Sequence, residues 1–120
     1  MTLTDSQIDK LEGDELNKTV AEYVMGWECV KEYPSLGLHS EGYINAIPNF
    51  VGDMHEAMKV FTRWGWMGKL AFQGDSWWCE VVTYDHEKSM PKARHYGEAD
   101  SPQEAICKAA LLLAKAVRDK

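Results

Sequence analysis

Trp77-Trp78-Cys79-Glu80-Val81-Val82-Thr83-Tyr84 is the stretch on which the fold turns. It is dense in β-branched and aromatic residues, so it reads as a strand. Successive side chains of a strand point to opposite faces. One set is Trp77, Cys79, Val81 and Thr83; the other is Trp78, Glu80, Val82 and Tyr84. Both are largely apolar, whereas a strand with one face in water alternates more cleanly. This predicts a layer on each side of the strand, either helices or a second copy of the protein.

Working outward, Gly74-Asp75-Ser76 and Asp85–Pro91 read as turns, with flanking strands at Gly68–Gln73 and Lys92–Ala99. The three strands form an antiparallel meander. Beyond it comes the clearest helix start in the chain: Ser101 as N-cap, Pro102 at the first helical position and Glu104 completing a capping box. The helix that follows is rich in alanine, which predicts close packing on the sheet. Only Lys108, Lys115 and Arg118 mark a solvent edge on it.

Before the meander, Asp53 caps a second helix with Glu56 as capping-box partner. Its apolar stripe is Met54, Ala57, Met58, Phe61 and Trp64, and Gly65 and Gly68 end it. A further helix over Glu15–Trp27, capped by Asp14, shows helical spacing at Leu16, Val20, Tyr23, Val24 and Trp27. Cys29–Phe50, with Pro34, Gly37, Gly42 and Pro48, reads as a long ordered loop carrying short extended pieces at Gly37–His39 and Tyr43–Ile47. Residues 1–13 read as a polar leader with a short helical piece around Ser6–Leu11. A single domain is expected over 14–120.

The order is helix, loop, helix, three-stranded meander, helix. Three phrases mark it. Val24-Met25-Gly26-Trp27 follows the first helix. Ile47-Pro48-Asn49-Phe50, Asp53-Met54 and Ala57-Met58 introduce the second. Ala99-Asp100-Ser101-Pro102-Gln103-Glu104-Ala105-Ile106-Cys107-Lys108-Ala109-Ala110-Leu111 opens the last. Over Glu15–Lys120 the chain resembles the phage ABA sandwich domain family. It departs from that pattern at Val51-Gly52, where the family usually carries a polar residue before the aspartate. The resemblance implies an α/β (α+β) fold, a three-layer α/β/α sandwich with about three helices. It also implies a phage or prophage origin, and so a place of work in the host cell cytoplasm. It carries over no catalytic residues.

Composition narrows the function. A net charge of −6 argues against binding long nucleic acid, which calls for a broad basic face. Cys29, Cys79 and Cys107 are widely spaced and lack any C-x-x-C or zinc-finger pattern, so they read as buried reduced thiols of a cytosolic protein. The polar start is no secretory signal, and the longest apolar run, Ala109–Ala114, is far too short to cross a bilayer. His39, His55, His86 and His95 form no H-E-x-x-H; Lys59 stands four residues after His55. No phosphate-binding loop or nucleophile elbow is present. The expectation is a protein without catalytic residues, metal or cofactor. A small enzyme whose site is assembled only in space is the alternative.

Five tryptophans stand in 120 residues, four of them within 64–78. Two segments lack carboxylates: Ala57–Gly74, with Lys59, Arg63 and Lys69, and Lys88–Gly97, with Lys88, Lys92, Arg94 and His95. In a meander they lie on either side of the strand that starts at Trp77-Trp78. Basic groups bind phosphates and aromatic faces stack on bases. The candidate ligand-binding residues are therefore Arg63, Trp66, Lys69, Trp77, Trp78, Arg94 and His95. Adjacent Trp77 and Trp78 point to opposite faces, so at most one of the pair lines any one site. The expected partner is a small anionic, nucleotide-like ligand, such as a cyclic or ADP-ribose-type host defence signal, which the protein sequesters. The competing expectation is docking on a host or phage protein through a tryptophan surface. Two open sheet edges and an apolar middle strand predict a homo-oligomer.

Overall fold

In the computed structural model the described residues are 3–29, 35–38, 41–62, 67–85, 87–88 and 90–118. The elements run α1 (Asp5–Lys10), α2 (Gly13–Tyr23), β1 (Glu28–Cys29), β2 (Leu36–Leu38), β3 (Ile44–Ala46), α3 (Met54–Thr62), β4 (Met67–Gln73), β5 (Ser76–Asp85), β6 (Met90–Ala99) and α4 (Pro102–Arg118). The fold is α+β, with the expected antiparallel meander in the order β4-β5-β6. A second small antiparallel sheet, β1-β2-β3, occupies the segment read as a long loop. Its strands β2 and β3 coincide with the short extended pieces expected there.

Helix α4 organises the molecule. The Ser101 hydroxyl accepts from the Glu104 N–H at 3.2 Å and donates to the Glu104 carboxylate, so the cap forms as the sequence predicts. Ala105, Ile106, Cys107, Ala109, Ala110, Leu111, Leu113 and Ala114 are all buried. One side of α4 lies on β5 and β6, and α1, α2 and α3 pack against α4. Gly97 of β6 makes the approach possible: a Cβ there would sit 2.3 Å from the Ala105 carbonyl oxygen and 2.5 Å from the Ala109 nitrogen. The alanines of α4 are the other half of that contact. Lys108 departs from expectation. It is buried rather than part of a solvent edge, and its ammonium donates to the Asp9 carbonyl at 2.7 Å. An exposed last-turn carbonyl of α1 gives the charge a partner and makes burial tolerable.

That bond docks the residues read as a polar leader. Thr4 and Gln7 cap α1 reciprocally, Ile8 is buried, and Lys115 pairs with Asp5 at 2.8 Å. Ile8, the partly buried Leu3 and Leu11, and two cations on α4 hold so polar a segment. Helix α2 starts after Glu12 and stops at Tyr23, short of the Trp27 expected. Gly26, at φ +77°, turns the chain away, and Trp27 then packs over Gly37 of β2. Asn17 is buried on α2. It accepts from the Val51 N–H at 2.9 Å and donates to Asn49 at 3.1 Å, seating the buried Phe50 at the entry to α3.

In α3 the buried positions are Ala57 and Val60, with Phe61 partly covered, while Met54 and Met58 are exposed. The apolar stripe is thus rotated from the one expected; Trp64 lies outside the described residues. Asp53 accepts from the His55 N–H at 2.9 Å, and Glu56 pairs with Lys59 at 3.1 Å instead of closing the capping box.

The two parities of β5 separate as the alternation requires. Cys79 and Val81 face α4 and are buried, with Trp77 partly covered beside them. Trp78, Glu80 and Val82 face the other way. The layer expected on each side of the middle strand is supplied by α4 on one face. The other face carries the exposed Trp78, Tyr96 and Glu98, and no described helix covers it.

Cys79 and Cys107 are free and buried, and burial pushes both thiols up to about 12, with Glu80 adding to the first and Glu104 to the second. At pH 8 only about one such thiol in ten thousand is ionised. Both should therefore stay unmodified by iodoacetamide in the native protein and alkylate fully in denaturant. Peptide mass spectrometry checks this, and rapid native labelling of either would show that the core opens.

Candidate ligand-binding face of the meander

The outer face of the meander is set by register. Lys69 stands opposite Glu80, Ala71 opposite Trp78, and Tyr96 opposite Glu80 on the other side. Trp78 and Tyr96 are therefore diagonal neighbours, within reach of each other for aromatic side chains. Lys69, Ala71, Gln73, Trp78, Glu80 and Tyr96 line an open groove of about 430 Å³. Ala71 leaves its floor low. Trp78 is 36% exposed and Tyr96 50% exposed, so both aromatic side chains are available from solvent.

Charge on this face is mixed. The Arg94 guanidinium lies 3.3 Å from the Glu80 carboxylate. The pair is largely exposed and so adds little stability, but it leaves Arg94 neutralised across the sheet. Lys69 has no ion-pair partner among the described residues and remains the available cation of the groove. The two carboxylate-free segments do flank the middle strand. The sequence reading missed that the middle strand supplies its own carboxylate, Glu80, between them.

The structure divides the expected site residues. Lys69, Trp78 and Arg94 share the outer face. Trp77 is on the inner face, where its ring meets Phe72 at a centroid separation of 5.3 Å. His95 stands opposite Val81 and also faces inward. It borders a separate hollow of about 200 Å³ with Asp5, Leu112, Lys115 and Ala116. Its Nε2 is buried without a hydrogen-bond partner, and burial holds its pKa below the usual histidine range, against the pull of Asp5. Arg94 and His95 are adjacent in sequence, and the pleat alone separates them. Arg63 and Trp66 lie outside the described residues. Tyr96 and Gln73, absent from the expected set, line the groove. Tyr96 was within reach of sequence reasoning, since it shares the parity of Arg94.

Residues 18–111 match the Phage ABA sandwich domain. The chain belongs to that family. A phage protein of the same architecture from Bacillus cereus ATCC 14579, known from a crystal structure, superposes with a TM-score of 0.66 at 18% identity. The likeness covers 84% of this chain and 90% of that one. Identity at this level establishes a shared fold. No curated protein matches the chain. For this member of the ABA sandwich family, no described helix is long and apolar enough to cross a membrane. Among its described residues no three His, Cys, Asp or Glu side chains gather as metal ligands would.

Proposed function

We propose that this ABA sandwich protein is a binding protein that captures a small anionic, nucleotide-like molecule on the outer face of its meander and releases it unchanged. The observation that carries this reading is the pairing of the exposed Trp78 and Tyr96 with an uncommitted Lys69 around one groove. A base stacks on the aromatic faces, and a phosphate takes charge-assisted hydrogen bonds from Lys69. The Arg94–Glu80 pair stands at the Lys69 end of the groove. Glu80 accepts from ligand hydroxyls or amines, and Arg94 turns to a phosphate if one displaces the carboxylate. A phage-family protein with such a face would act in the host cytoplasm by withdrawing a defence signal.

The test is isothermal titration calorimetry and thermal shift with ADP-ribose, cyclic AMP and a cyclic dinucleotide. One of these should bind, and Lys69→Ala should weaken it by about tenfold while leaving the fold intact. After denaturation the ligand should be recovered intact by mass spectrometry. No binding of any probe, or recovery of a hydrolysed product, overturns the proposal. A second reading, docking on a protein, is favoured by the exposure of Trp78 and Tyr96 together on the outer face. It predicts that Lys69→Ala chiefly slows association.

A further inference from the structure

The meander has two unequal edges. On the β6 side the second residue of the strand is Pro91, which has no N–H, the β5–β6 register shifts at Thr83/Tyr84, and the exposed Arg94 stands on the strand. Such features discourage further pairing. On the β4 side, Met67-Gly68-Lys69-Leu70-Ala71-Phe72-Gln73 pairs with β5 without a bulge, contains no proline and carries one charge. Among the described residues no strand pairs with its outer flank; Gly68 is exposed, and Phe72 is 58% exposed. From this edge we infer that a second copy of the chain adds its own β4 antiparallel to β4 about a two-fold axis at Leu70, making one continuous six-stranded sheet.

The hydrogen-bonding parity of the strand supports that occupant. Gln73 and Ser76 close a two-residue hairpin, and such a closing pair is hydrogen-bonded. Alternation then turns the N–H and C=O of Gly68, Leu70 and Phe72 toward the open edge. Opposed residues in a sheet must point to the same face, so a two-fold axis normal to the sheet has to pass through a residue rather than between two. With the axis at Leu70, Leu70 meets the partner's Leu70 and Gly68 meets the partner's Phe72. Every outward N–H and C=O of β4 then has a partner.

The side chains are self-complementary in that same register. Gly68 offers no side chain, and the Phe61 ring already lies over it, where a Cβ would be 2.3 Å away. The partner's Phe72, 58% exposed in a single copy, would pack against the Phe61 ring that lies over Gly68, where the glycine leaves room for both rings. On the other face Lys69 stands opposite the partner's Ala71, so no like charges are directly opposed. The two outer faces merge into one surface, with Lys69 of each copy near its centre. A strand of unrelated sequence would satisfy the backbone but not the match of Gly68 to Phe72. That match favours a second copy.

Light scattering on the full chain at about 100 µM should give twice the 13.6 kDa of one chain. Leu70→Pro removes an outward N–H, and edge strands tolerate proline where the N–H faces away. It should keep the circular dichroism and cooperative melting of the wild type yet run as a monomer. Phe72→Lys, which places an ammonium group against the apolar Phe61 ring, should do the same. A monomeric wild type overturns the assembly, as does either variant remaining folded and dimeric. If Leu70→Pro fails to fold, the result for Phe72→Lys decides. Nucleotide binding is not an input to these measurements, so their outcome stands apart from the ligand assignment.

Discussion

Gly97→Val should prevent the protein from folding, and Gly97→Ala should cost about 3 kcal/mol or more, an amount at the upper end of ordinary overpacking. A Cβ at this position would meet the Ala105 carbonyl oxygen at 2.3 Å and the Ala109 nitrogen at 2.5 Å. Both are backbone atoms of a helix that is buried along most of its length. They cannot swing aside as a side chain would. The helix would have to lift from β6 as a body, opening the contacts of Cys79 and Val81 below it and straining α1, α2 and α3 above it. A domain of this size commonly has only about 5–15 kcal/mol of stability to lose. Gly68→Ala is the informative comparison. Its Cβ would also come within 2.3 Å of another atom, but that atom belongs to the Phe61 ring, which can rotate. Urea denaturation followed by circular dichroism should rank wild type above Gly68→Ala and that above Gly97→Ala. A Gly97→Ala protein within about 1 kcal/mol of wild type would mean that α4 sits farther from the sheet than described.

Trp78→Ala should weaken the proposed nucleotide-like ligand by about 5- to 150-fold, the range that corresponds to roughly 1–3 kcal/mol of base stacking. The side chain stands over Ala71 and diagonal to Tyr96, at 36% exposure, so its loss removes much of one wall of the groove while leaving the buried core in place. Stability should fall far less than in Trp77→Ala, because Trp77 packs against the core and Phe72 on the inner face. The two variants form a matched pair: neighbouring residues of one type, one removed from each face. Calorimetric titration and thermal melts on both check the assignment. Equal loss of binding in both, or unchanged affinity in Trp78→Ala, would place the ligand elsewhere.

Much of the fold was legible because its signals are local. Ser101, Pro102 and Glu104 announce α4 within one turn, and the strand content of Trp77–Tyr84 declares β5 without help from distant residues. The small sheet was only half visible, since strands of two or three residues carry too little pattern to separate from loop. Helix α1 was legible as a short helical piece, but its docking was not. That rests on Lys108 reaching Asp9 and Lys115 reaching Asp5 across almost the whole chain. The groove was legible as a type of surface, aromatic with basic flanks, and not as a set of residues. Glu80 belongs to the strand that carries Trp78, yet its pairing with Arg94 depends on register between strands.

The sequence by itself determined the order of the main helices and the meander, the cap of the last helix, the opposite facing of Trp77 and Trp78, and membership of the phage ABA sandwich family. These depend on periodicity, on capping chemistry and on phrases within single elements. Only the tertiary structure decided that His95 turns away from Arg94 into a separate hollow. It also decided that Arg94 is held by Glu80, that Lys69 remains available, and that β4 pairs with no second strand among the described residues. Each of these depends on strand register and helix placement. Those are settled by packing between segments far apart in the chain, where one residue of slip would exchange the two faces.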